Sequence, residues 1–83
     1  MKASVAFRKA AEQTYRSGEL EKNYPHKRRV KRIRETLQHI DQTWEGGIAE
    51  YPLIPLVSIL SEDGMVMAAV VYAMIGMLDA PDL

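Results

Sequence analysis

The chain has 83 residues and a mass of 9.4 kDa, with eleven Lys or Arg, eleven Asp or Glu, two His and no Cys. That length admits one small domain, and the missing thiols exclude a disulfide framework and thiolate-bound zinc. Apolar residues at 47% argue against general disorder, and two His leave little material for metal or acid–base chemistry.

A chain this short buries only about 60–65% of the surface its unfolded form exposes. It therefore needs tight helix packing or association with itself. The zero net charge conceals a division. All eleven cations lie between Lys2 and Arg34, with only Glu12, Glu19 and Glu21 among them, a net +8. From Glu35 to Leu83 there are eight acids and no cation, a net −8. Such a split points to an electrostatic partner, either another molecule or a second copy. The opening KASVAFRKAAEQ lacks the apolar stretch of a secretory signal, so a cytoplasmic location is expected.

Residues 3–17 read as a first helix. Ala3, Phe7, Ala10, Ala11 and Thr14 recur at helical spacing, Glu12 and Arg16 stand at i,i+4, and Gly18 is a stop signal. The stripe is rich in alanine and buries little area, so tertiary support is needed. GELEKNYPHK is a connector in which Asn23 or Tyr24 could cap and Pro25 suits a first turn.

From Pro25 to Glu45 comes the clearest signal. Val30, Ile33, Leu37, Ile40 and Trp44 are spaced 3, 4, 3, 4, an apolar seam of two heptads that His26 extends backward, and Gly46-Gly47 ends it. Pro52 and Pro55 fit the first turn of a short third helix reaching about Leu60. Ser61-Glu62-Asp63 reads as the start of another helix. The following run, MVMAAVVYAMIGML, is apolar on every side and ends before Pro81. Within it Ala69, Ala73, Gly76 and Ala80 form a small-residue ridge, and Met67, Val71, Met74 and Leu78 a bulky one. The rival reading of LVSIL-SEDG-MVMAAVVY is a β-hairpin, because short apolar runs do not decide between helix and strand.

Lys27, Arg28, Arg29, Lys31, Arg32 and Arg34 put six cations into eight residues at the start of the long helix. A helix N-terminus carries partial positive charge, so each cation in the first turn costs about 0.3–1 kcal/mol at low salt. Glu35, Asp41 and Glu45 occupy the other half, also at the unfavourable end. Local helix stability did not place them. Three explanations remain: the cluster binds phosphates, two copies pack antiparallel along the seam with basic halves facing acidic halves, or the cations form a solvated face.

For nucleic acid, stacking aromatics are scarce, since Tyr24 is the only one nearby, and no zinc-finger, RNA-recognition or KH signature appears. Trp44 reads as a core or interface anchor. His39 reads as an exposed partner of Glu35, and no metal or other cofactor is expected. GxSxG, GxxxxGK[ST] and GxGxxG are all absent, so enzymatic activity is not expected. The charge-free run of fourteen residues falls short of the about 20 that a spanning helix needs, which argues against a membrane role.

These observations predict an all-α fold in a single domain over residues 1–83. They suggest a small three- or four-helix bundle with the long second helix and the apolar last helix as its core, completed by homo-oligomerisation. The seam Val30, Ile33, Leu37, Ile40 and Trp44 is the expected oligomer or partner interface. The expected function is non-catalytic and regulatory: binding another protein, with residues 27–34 steering contact. The alternatives are a nucleic-acid or nucleotide binder using the same cations and, third, a small membrane-associated protein.

Overall fold

The computed structural model describes residues 1–22 and 26–79, and these are helical with no strand. Helix α1 spans Ala3–Arg16, α2 is the single turn Glu19–Lys22, and α3 spans Lys27–Thr43. A 3-10 turn at Gly47–Glu50 leads into α4 (Leu53–Leu60) and α5 (Gly64–Asp79). Four helices of two turns or more thus account for the fold, in keeping with the all-α expectation. The caps proposed at Asn23, Tyr24 and Pro25, and the stop at Pro81, lie outside the described residues.

Helix α1 ends where expected. The Ser17 N–H donates to the Gln13 carbonyl at 2.9 Å, and Gly18 follows at φ +72°, the left-handed conformation that terminates helices. Ala6, Phe7, Ala10 and Ala11 are buried, so the stripe is placed as the spacing predicts, although Ala3 is exposed. The small side chains let the backbone of α5 come in closely, and α1 against α5 is the most extensive close approach in the chain. Helix α1 also touches α2, α3, α4 and the 3-10 turn. The core was expected to centre on the long and the last helices. The alanine-rich helix is instead its hub, because alanine removes the bulk that keeps backbones apart.

Helix α3 buries Val30, Ile33, Leu37 and Ile40 in that core. Trp44 lies past the last turn in extended conformation, its N–H still donating to the Ile40 carbonyl at 2.8 Å. Gly46 and Gly47, at φ +86° and +68°, then reverse the chain. A Cβ on Gly47 would sit 2.5 Å from Asp41 Oδ1, so glycine is required there both by conformation and by space.

That close approach serves Asp41. Its Oδ1 accepts the Ile48 N–H at 3.3 Å and its Oδ2 accepts from Arg16 Nη2 at 3.3 Å. One carboxylate therefore ties the end of α1, the last turn of α3 and the 3-10 turn, whose Ile48 is fully buried. Nearby, Arg8 Nε donates to the Tyr51 carbonyl at 2.9 Å. The Tyr51 ring meets Trp44 edge-on, with centroids 5.0 Å apart.

Residues 56–78 are not a hairpin. Asp63, a carboxylate left only 3% exposed, accepts the N–H groups of Met65 at 2.9 Å and Val66 at 3.2 Å through Oδ1. That cap satisfies orphan donors of α5 and sets helix rather than strand for the apolar run. Val66 and Val70 are fully buried, with Ala73, Met74 and Met77 packed beside them. Neither ridge expected from the sequence is the buried row, since a helix apolar all round carries no signal of which face turns inward. The radius of gyration is 12.2 Å, close to the ~12 Å of a well-packed chain this long.

Candidate binding site at the basic end of the long helix

Helix α3 begins without help. His26 occupies the cap position and makes no side-chain capping bond, and the first turn holds no acid. Into this turn project Lys27, Arg28 and Arg29, followed by Lys31 and Arg32, all exposed. At 100° per residue the buried seam takes one side of the helix. Arg28, Lys31 and Arg32 point directly away from it, with Lys27 on one flank and Arg29 on the other. The cations thus cover the whole solvent-facing half of the helix end.

Lys31 Nζ stands 4.0 Å from Glu35 Oε1, so the acid expected to pair with His39 pairs with Lys31. Arg34 is half-buried and donates from Nη1 to Gln38 Oε1 at 3.2 Å. It is thus held within the fold. Among the described residues Lys27, Arg28, Arg29 and Arg32 have no acid within ion-pair distance. His26, Lys27, Arg28, Arg29 and Arg32 line one shallow depression. Beside it, Leu20, Lys27, Val30, Lys31 and Arg34 frame a second, with aliphatic side chains at its floor.

Arg16 faces two acids. Its hydrogen bond with Asp41, and then the charge of Glu12 3.7 Å away, hold its guanidinium above the usual arginine range. This is a structural clasp at the opposite end of α3 from the basic cluster.

The seam expected to form an interface is in large part internal. Val30, Ile33, Leu37 and Ile40 are at most 6% exposed and have no surface to offer a second copy. A chain of 83 residues can bury the seam by folding its own alanine-rich helix and 3-10 turn over it. Trp44 alone remains open, at 45% exposure. Two features escaped the sequence reading. Asp41 reads from the sequence as a misplaced helix acid, whereas in the fold it accepts the Ile48 N–H of the turn that follows. The outer face of α5 was hidden by the uniformity of its composition.

Among the described residues no three His, Asp or Glu cluster as a metal would require, and no helix is long and apolar enough to cross a membrane. Comparison with known proteins finds no matching family model, no similar curated protein and no similar solved structure.

Proposed function

We propose that this protein acts by binding rather than by catalysis, and that the basic end of α3 makes first contact with an acidic surface on a partner protein. The observation that carries this reading is the placement of Lys27, Arg28, Arg29 and Arg32. They are exposed, have no acid partner among the described residues, and sit at the helix end where their charge works against the fold. A purely solvated face would serve as well with the same charges at the other end of the helix. Exposed cations on a rigid helix raise association rates with acidic partners and contribute less to final affinity.

Nucleic acid is the second reading, because the same cations cover half of the helix circumference and suit phosphates. It ranks lower because none of the described residues lining the basic depression, apart from His26, offers a ring for base stacking. Binding of labelled polyglutamate and of a labelled DNA oligonucleotide, followed by fluorescence anisotropy, tests both. Polyglutamate is expected to bind at about 50 mM salt and to weaken steeply towards 200 mM. Failure of both ligands to bind at low salt removes the electrostatic reading, and tighter binding of DNA transfers it to nucleic acid.

A further inference from the structure

Charges of opposite sign are left over at the two ends of α3. At its start Arg28, Arg29 and Arg32 are exposed and meet no acid among the described residues. Just past its end Glu45 is exposed and meets no cation among them. The acids within the helix are taken, Asp41 by Arg16 and Glu35 by Lys31. Arg28, Arg29 and Glu45 all stand where their charge works against the helix dipole.

Glu45 belongs to a corner that the fold holds in place. The Gly47 N–H donates to the Trp44 carbonyl at 2.9 Å, and the chain turns back beside itself. A Cβ on Gly46 would strike the Glu50 side chain, so Glu50 lies across Gly46, next to Glu45. The Trp44 and Tyr51 rings meet edge-on at 5.0 Å. The corner therefore presents an indole that is 45% exposed between the exposed Glu45 and Glu50. Glu50, like Glu45, has no ion pair among the described residues, and Arg8 reaches the Tyr51 carbonyl rather than either carboxylate. An open indole flanked by carboxylates suits a guanidinium, since the ring face attracts the cation and the carboxylates accept its N–H groups.

We infer that the basic end of α3 docks on the Trp44, Glu45 and Glu50 corner of a second copy of this chain. The inference rests on the reading of the basic end as a docking surface, and it names the acidic partner. Helix α3 has 17 residues and is about 25 Å long, so its two ends cannot meet within one copy. Charge complementarity selects the occupant. Every cation of the chain precedes Glu35 and no Lys or Arg follows Arg34, so the corner has no cation of its own half to take. A second copy supplies three exposed guanidiniums on a rigid helix, and one kind of contact then offsets the misplaced charges at both helix ends. Exposed ion pairs contribute little each, so the association is reversible and weakened by salt.

Sedimentation equilibrium of the full chain from about 1 to 200 µM, at about 50 and 300 mM salt, tests the inference. Wild type is expected to self-associate at the lower salt and to dissociate at the higher. A charge swap then identifies the surfaces. One variant carries Arg28→Glu, Arg29→Glu and Arg32→Glu, the other Glu45→Lys and Glu50→Lys. Acids at the start of α3 and a lysine at its end suit the dipole, so both variants should melt no lower than wild type. Each alone should associate at least tenfold more weakly, and an equimolar mixture should recover the association. Adding Trp44→Ser, outside the buried core, to the lysine variant should abolish that recovery, which separates docking at the corner from general attraction between opposite charges. A wild type that stays monomeric at the highest concentration and lower salt overturns the inference. So does a mixture that fails to recover, or a recovery indifferent to Trp44→Ser. A monomeric wild type that still binds polyglutamate refutes only the second copy as partner and leaves the basic end a docking surface.

Discussion

Helices α3 and α5 are nearly equal in length, 17 and 16 residues, and opposite in design. On α3 the apolar residues form one row, all of it enclosed, and everything else is polar or charged. On α5 the apolar residues go all the way round, and the chain encloses only half of them. The inner face of α3 is accounted for by the fold of one copy, leaving its charges to be explained. The inner face of α5 is accounted for in the same way, leaving its apolar outer face. Each helix thus has one side that builds the molecule and one side that the molecule does not need.

The sharpest way to break this comparison is to cut matching side chains from the two helices. Leu37→Ala removes a fully buried residue of α3 and is expected to cost about 2–5 kcal/mol in urea unfolding. Ile75→Ala on the outer face of α5 should change the stability of the dilute monomer by no more than about 0.5 kcal/mol. Similar losses for both would show that the outer face of α5 is covered within the chain.

Smaller effects should come from the devices that shape the two helices. Asp63→Ala removes the cap that starts α5 and is expected to cost about 0.5–2 kcal/mol, read from the urea midpoint. Gly47→Ala forces a side chain into a left-handed position beside Asp41. Its loss in the same melt should exceed about 1 kcal/mol. Arg16→Ala leaves Asp41 its bond from Ile48 and removes two ion pairs, to Asp41 and Glu12, of an exposed guanidinium. A double-mutant cycle with Asp41→Asn should therefore find a coupling of at most about 1 kcal/mol.

The two helices also differ in how far the sequence disclosed them. The 3, 4, 3, 4 spacing of α3 located its core residues one by one, because polar neighbours mark the edges of the row. What the spacing could not say was whether that row closes on the same chain or on a copy. The answer lay in elements that read as slight in the sequence: α1 with its small Ala10 and Ala11, the single turn α2 and the 3-10 turn, which close over the row. For α5 the element was legible from Asp63 onward and the orientation was not, since fourteen uncharged residues contain no contrast. The basic end was visible as a list of residues. Its openness was not, because Arg34 and Lys31 find partners and, among the described residues, Lys27, Arg28, Arg29 and Arg32 meet no acid, which depends on the folded backbone.

The central claim is that Arg28, Arg29 and Arg32 serve a partner and not the fold. The most direct measurement takes one variant with all three changed to Ala and reads both its urea midpoint and its affinity for polyglutamate. Relief of the unfavourable charge of Arg28 and Arg29 in the first turn should leave it at least as stable as wild type, with a gain of up to about 1 kcal/mol for each of those two at low salt, while affinity falls at least tenfold. A variant that unfolds more easily, or that binds as well as the parent, would contradict the account.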